Sequence, residues 1–351
     1  MNIAILHGYS AKNSGDGLLL EEAVTLIRTS ICPDARITIV ASYPETFNLD
    51  DVEFVRSRPT RFGFDTRYLA FLARLRRFDL VVAVGGGYLR FKTRNESFKT
   101  SMVHLPQLAA AAMLAKRSVY LPQSVGPSPR VFRPIVRRLG SKIDAFYVRD
   151  DRSMSEFAGA GFRRMPDMAL LAPDKHSRES GAVDPIPVYS IRPVNGRISP
   201  DLHRLADLLS PYVGYIQSTG AGNDDTSAMR QIGCTSYLTR SELLDPHSPR
   251  RVVIAVRLHA ALMAMNAGHY VIHLAYERKG FGAFSDLGLD NYVFNVRSFS
   301  PEKVAALARE LLNEESVRAA YDAIVAKANS QFADDRAVLI RDIKLLLEQP
   351  A

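Results

Sequence analysis

Short apolar runs rich in Val and Ile recur along almost the whole chain, each followed by a stretch with helical periodicity, and few folds accept that alternation. A helix that returns the chain between successive strands sets those strands parallel in one sheet, so the pattern reads as βαβ units. In the first half the runs are Ile3 to Leu6, Ile37 to Val40, Leu80 to Val84, Ser118 to Leu121 and Ala145 to Val148. A second series follows at Val188 to Ile191, Val213 to Ile216, Val252 to Val256, Tyr270 to Leu274 and Tyr292 to Asn295. Between them Ala172 to Pro187 holds two Asp, two Ser, three Pro and a Gly, and reads as a linker. Pro301 to Leu312 and Glu315 to Leu347 close the chain as amphipathic helices. Since 351 residues exceed what one core usually holds, the expected fold is α/β with two Rossmann-like domains facing a cleft. The expected boundaries are 1–171 for the first domain, 172–187 for the linker and 188–330 for the second. The last helix, 331–351, is expected to pack back on the first domain.

Ligands of open parallel sheets bind at the carboxyl ends of the strands, so the loops that follow strands are where chemistry is expected. Asn13-Ser14-Gly15-Asp16-Gly17 leads into a helix after the first strand, and its glycines let backbone N–H groups approach an anion or a hydroxyl. Asp16 reads equally as a helix cap or a catalytic carboxylate. Gly85-Gly86-Gly87 ends the third strand, as a ligand cradle or a tight turn. Gln123 follows the fourth strand and Arg149-Asp150 the fifth, where Asp150 could simply cap a helix. In the second series Arg192 follows Val188 to Ile191, and a buried run at Val252 to Val256 delivers Arg257-Leu258-His259 to the first turn of a small-residue helix ended by Gly268. Free N–H groups and the helix dipole favour negative charge there, so a phosphate or a carboxylate is the expected guest.

The net charge of +8 is unevenly placed. Residues 1–180 carry 27 Lys and Arg against 18 Asp and Glu, and residues 181–351 carry 18 against 19. Such a field suits nucleic acid, a membrane surface or a phosphorylated substrate, or is only a solvated face. Phe64 to Phe78, with four arginines among its apolar residues, reads either as a segment lying on a bilayer or as a helix packed on the sheet. The chain opens on a strand, has no apolar stretch long enough to span a bilayer, and carries only Cys32 and Cys234, in no metal or redox spacing. A cytoplasmic enzyme without disulfide or metal is the expectation, with peripheral contact at the inner face of the membrane left open.

Seven elements, in this order and spacing, resemble the polysaccharide pyruvyl transferases. They are Asn13-x-Gly15-Asp16, the triple glycine, Gln123-x-x-Gly126-Pro127, Arg149-Asp150-x-x-Ser153, Asp167-x-Ala169-Leu170, Arg257-Leu258-His259 and Tyr276-x-x-Lys279. Relatives carry an acidic residue shortly after the triple glycine, which Tyr88-Leu89-Arg90-Phe91 lacks. The resemblance implies a GT-B-like fold and a reaction in which phosphoenolpyruvate, a substrate rather than a cofactor, donates pyruvate to two hydroxyls of one sugar as a ketal. It assigns Arg192, Arg257, Leu258 and His259 to the donor. Asn13, Gly15, Gly86, Gly87, Gln123, Arg149, Asp150 and Lys279 fall on the acceptor side or behind it. His259 is the natural proton carrier by its ordinary pKa. Alternatively it binds phosphate while Asp16 or Asp150 serves as base. The implied acceptor is a sugar of a cell-surface polysaccharide or glycolipid, free or lipid-linked. Two rivals stand beside this reading, a nucleotide-sugar glycosyltransferase of the same fold and a basic nucleic-acid-binding protein.

Overall fold

The computed structural model describes residues 1–61, 63–172, 183–220 and 223–349. Most of the expected linker, residues 173–182, lies outside the described residues. The chain divides into two compact units: Met1–Ala11, Asp16–Leu171 and Asp334–Ala351 form one, and Lys12–Gly15 with Ala172–Ala333 the other.

The first unit holds β1 (Asn2–Gly8), β2 (Arg36–Ala41), β3 (Val52–Arg56), β4 (Leu80–Ala83), β5 (Gly86–Leu89), β6 (Ser118–Val125), β7 (Ala145–Val148) and β8 (Arg163–Arg164). They pair in parallel in the order β3-β2-β1-β4-β6-β7-β8, with β5 beside β6. In the second unit β9 (Val188–Ser190), β10 (Val213–Tyr215), β13 (Tyr237–Leu238), β14 (Val252–Ala255), β15 (Tyr270–Ala275) and β16 (Val293–Asn295) pair in parallel as β13-β10-β9-β14-β15-β16. A small antiparallel pair, β11 (Thr219–Gly220) and β12 (Asn223–Asp224), stands apart. Both main sheets place later strands on either side of the first one laid down, as doubly wound sheets do. The central strands are apolar over most of their length because they are covered on both faces: Ile3, Ala4, Ile5 and Leu6 of β1, and all of β14, are without solvent exposure.

Three helices, Thr66–Ala73, Leu105–Leu114 and Phe132–Gly140, bury Tyr68, Leu72, Leu108, Ala111 and Val136 in one core with β4, β6 and β7. Phe64 to Phe78 thus contains a helix whose inner face, Tyr68 and Leu72, is packed in the core, while Leu69 on it is exposed. The triple glycine is neither a loop nor a turn beyond Gly85, since Gly86 opens β5. A Cβ on Gly85 would lie 2.8 Å from the Pro122 carbonyl oxygen, so glycine is what lets the backbones approach. Residues 12–15, expected in the first domain, group with the second unit because Ser14 N and Oγ donate to the Gln217 carbonyl and Thr219 N donates to Lys12 O. The helix Glu315–Glu348 is continuous, with Asp322 bonded to Arg250 of the second unit and Asp342 to Tyr147 and Arg163 of the first.

One packing consequence is directly measurable. A Cβ at Gly214 in β10 would stand 2.6 Å from Cys234 Sγ, 2.7 Å from Met229 Cε and 2.8 Å from Tyr237 Cδ1. Gly214→Ala should therefore lower stability by about 1–3 kcal/mol through overpacking, read as a shift of the denaturant midpoint.

Candidate functional site

In the second unit the sheet reverses its direction of growth between β9 and β14, and the chemistry-bearing residues follow these two strands. Val256 N donates to Ser190 O at 2.8 Å, which ties the two strand ends together. Arg257 then turns the chain with extended φ and ψ, and the helix Leu258–Asn266 begins behind it. Its guanidinium is buried and held by Asp225 in a two-point ion pair, Nε to Oδ2 at 2.5 Å and Nη2 to Oδ1 at 2.6 Å. Burial pushes the Asp225 carboxyl up, while the guanidiniums of Arg257 and Arg192 pull against that rise. The two arginines thus share the field of one buried carboxylate. Arg192 is half-buried, and its Nη1 donates to the Tyr276 hydroxyl at 2.9 Å.

Leu258 is buried at the helix start, where its side chain anchors the turn in the core. His259 is half-buried, and its ring packs where a side chain on Gly15 would be. A Cβ on Gly15 would come within 2.7 Å of His259 Cβ and Cγ and closer still to Nδ1. Asn13 Oδ1 accepts the Gly15 N–H at 3.3 Å, and Asn13 also bridges Ser218, so the glycine is fixed from both sides. Arg192, Arg257, His259, Asn13 and Gly15 accordingly sit within one unit. Lys279 shares that unit and lies 3.4 Å from Glu277.

The first unit has its own crevice where growth reverses between β1 and β4. A cavity of about 250 Å³ lies there, lined by His7, Asp16, Gly86, Gly87, Tyr88 and His104 among others. Its floor is a chain of buried rings. His7 Nδ1 lies 3.2 Å from His104 Nδ1, His7 Nε2 lies 3.1 Å from the Tyr120 hydroxyl, and the His7 ring stacks on Tyr88 at 4.3 Å. His7 holds φ at +68°, a left-handed conformation that a non-glycine residue keeps only under constraint. Gln107 supplies part of that constraint by accepting the His7 N–H at 2.8 Å. Burial drives the His7 pKa well below its ordinary value, helped by the neighbouring His104, and takes His104 down to about 3, with Lys99 adding to the fall. Both rings are therefore neutral near pH 7, and one proton serves the Nδ1 pair. The second nitrogen of His104 is an acceptor in one tautomeric arrangement and a donor in the other. These rings give the cavity neutral hydrogen-bonding groups beside Asp16, Arg90, Glu96 and Lys99, which also line it.

Other residues singled out from the sequence have different places. Asp150 caps the helix Asp151–Glu156, accepting Ser153 N at 2.8 Å, and belongs to neither site. Arg149 is buried in an ion pair with Asp167, donates to Ser124 Oγ at 3.0 Å, and stands behind Gly87 as a support. Gln123 is fully buried in β6 beside Gly86 and does not line the cavity. Asp16 lies in the first turn of the helix Ser14–Leu26, three positions past the cap position at Asn13, and lines the cavity. Asp225, His7, His104 and Tyr120 were not singled out as site residues, because their roles depend on partners far away in sequence. Among the described residues no three His, Cys, Asp or Glu side chains gather as a metal site, and no helix is long and apolar enough to cross a membrane.

The sequence pattern of the family described as "Polysaccharide pyruvyl transferase" matches residues 13–278. Among curated proteins none matches significantly. Among solved structures the chain resembles a glycosyltransferase from Rickettsia africae ESF-5 at a TM-score of 0.58 and 9% identity, covering 99% of each chain. It resembles UDP-GlcNAc 2-epimerase from Neisseria meningitidis, solved with UDP-GlcNAc, at 0.54 and 9%, covering 98% of this chain and 100% of that one. For a Thermobaculum terrenum O-GlcNAc transferase mutant the values are 0.53 and 15%, with 98% of this chain covering 66% of that one. The fold is that of GT-B glycosyltransferases and related epimerases.

The buried histidines make stability depend on pH with a definite sign. Their folded-state pKa values are depressed, so the unfolded chain binds more protons once pH falls below the ordinary histidine value near 6.5. Their contribution is complete above about pH 6.5 and is lost as pH falls toward 3. A urea midpoint that drops between pH 7.5 and 5 in the native protein, and drops less in His104→Gln, is the expected result.

Proposed function

The chain belongs to the polysaccharide pyruvyl transferase family, and from that premise we propose that it transfers pyruvate from phosphoenolpyruvate to two hydroxyls of one sugar, forming a cyclic ketal. The observation that carries this reading is the contrast between the two crevices. One presents Arg192 and Arg257 around Asp225 at a helix start, and the other is a cavity of about 250 Å³ that sets neutral rings beside Asp16, Glu96, Arg90 and Lys99, two acids against two cations. Phosphoenolpyruvate carries a carboxylate and a phosphate, so the cationic crevice of the second unit suits the donor, with helix N–H groups behind Leu258 adding donors. The cavity of the first unit is smaller than the 300–1,000 Å³ of drug-sized sites and suits a single sugar ring.

In the reaction C3 of the enol takes a proton, C2 becomes oxocarbenium-like, and a sugar hydroxyl adds to it. Phosphate then leaves, and the second hydroxyl closes the ring. Two hydroxyl protons are released in all; one is balanced by the proton gained at C3 and the other goes with inorganic phosphate. His259 is assigned the proton delivered to C3, since its ring is fixed in place against Gly15. Asp16, lining the cavity, is assigned to the acceptor hydroxyl; Asp150, engaged as a cap, is set aside. Arg149, buried in its ion pair with Asp167, is assigned to support of the glycine strand. A nucleotide-sugar transferase is the second reading, favoured by the likeness to an epimerase solved with UDP-GlcNAc.

The test is release of inorganic phosphate from phosphoenolpyruvate with a panel of glycans, with nucleotide sugars as control donors. Phosphate release that depends on a glycan supports pyruvyl transfer, and turnover of the control donors alone would overturn it. His259→Ala should lower kcat by about 10²–10⁴-fold in a protein that still folds. Arg257→Lys should mainly raise KM for phosphoenolpyruvate, because an ammonium cannot make the two-point contact with Asp225 that aims the guanidinium.

A further inference from the structure

The three helices over one face of the first unit's sheet share a core and neighbour one another, Thr66–Ala73 against Leu105–Leu114 and that helix against Phe132–Gly140. With the short stretches that extend them, residues 66–78, 105–117 and 128–143 hold four, two and five Lys or Arg, eleven in all, and not one Asp or Glu. The same layer exposes large aliphatic side chains: Leu69 at 50%, Met113 at 59%, Val131 at 72% and Ile135 at 40%. Ile135 on Phe132–Gly140, with Val131 just before it, lies among exposed Arg133, Arg137 and Arg138. Arg133 comes within 3.5 Å of Glu156, so its charge is partly offset there.

We propose that this helical layer docks the protein on an anionic lipid bilayer, with Val131 and Ile135 entering the interfacial zone and the arginines meeting lipid phosphates. A merely solvated helical face gains from acidic residues three or four positions away from its cations, and this layer has none. Nucleic acid would also attract the charge. Single strands are held by exposed aromatic platforms and duplexes by polar readers of base edges, whereas Val131, Ile135, Leu69 and Met113 are aliphatic. Aliphatic side chains ringed by arginine match the interfacial region of a membrane. The segment Phe64 to Phe78 contributes its arginines and Leu69, while Tyr68, Leu72 and Leu75 stay in the core.

The experiment is co-sedimentation of the full chain with vesicles of phosphatidylcholine alone and of phosphatidylcholine mixed with phosphatidylglycerol, with duplex DNA as a competing polyanion. The native protein should bind the anionic vesicles selectively. The triple substitution Arg133→Gln, Arg137→Gln and Arg138→Gln should reduce partitioning about 100-fold, at roughly fivefold per cation. Val131→Ser with Ile135→Ser should leave binding at low salt but remove the part that survives high salt. All five positions are exposed, so unchanged thermal unfolding will show that the fold is intact. Failure of the native protein to bind anionic vesicles, equal binding by the triple variant, or displacement from vesicles by DNA would each overturn the proposal. Phosphate release is not a readout here, so the result stands apart from the assignment of the reaction.

Discussion

When a parallel sheet adds strands first to one side of its opening strand and then to the other, the connections leaving two adjacent strands must diverge. The space between their carboxyl ends is then left without a crossover to fill it. Both sheets of this chain are wound this way, with β1 beside β4 and β9 beside β14. The crevices therefore cost nothing in core packing, since the strands themselves remain fully buried beneath them. Loop residues at those four strand ends are free to carry chemistry while the sheet holds them in register. His7, Gly85, Arg192 and Arg257 occupy these places, and each follows or ends a strand whose neighbours are fixed by backbone hydrogen bonds.

The same topology supports different electrostatics. In the second unit a buried carboxylate, Asp225, holds Arg257 by two nitrogens and feels Arg192 as well. Removing one partner of such a pair leaves a buried charge and is far more damaging than the pair is stabilising, so its value lies in aim. Two guanidiniums around one carboxylate leave a net positive site for an anionic guest. In the first unit His7, His104, Tyr88 and Tyr120 are driven toward their neutral forms by burial. Their polarity is retained as a hydrogen-bond chain without charge, while Asp16, Glu96, Arg90 and Lys99 supply balanced charge at the same cavity. The strained φ of His7 is the visible cost of keeping that ring under the cavity.

Strands with unbroken apolar runs were legible from sequence to within a residue or two, as for Ala145–Val148 and Val252–Ala255, because burial on both faces leaves no other composition possible. Val52–Arg56 and Gly86–Leu89 were not, since one is an edge strand with mixed exposure and the other is built on glycines that carry no apolar signal. At the site, Arg257 and His259 could be seen because a single strand-to-helix junction brings them together. Asp225 could not be placed, because its meaning comes from a residue 32 positions away. His7 lies about a hundred residues from both His104 and Tyr120, and His104 sits in a run that reads as an ordinary apolar helix. Gly15 lay in a recognisable loop, but only the structure shows that its missing side chain makes room for His259.

Charge on the first unit's helices bears on the same question of what a sequence keeps and why. Eleven cations in three neighbouring helical stretches repel one another, and replacing any of several exposed positions by glutamate would add favourable pairs at helical spacing. Arg137 and Arg138 gain from the end of their helix, but the mutual repulsion of the cations is uncompensated by acids within these stretches, and exposed Val131 and Ile135 work against solubility. Two features that each work against the isolated unit coincide on one surface and are both relieved by one kind of partner, a negatively charged surface with an apolar interior. The buried sides of the same helices show no such conflict, with Tyr68, Leu108 and Val136 fully inside. The layer is thus consistent with the fold on its inner face and with an anionic, lipid-like environment on its outer one.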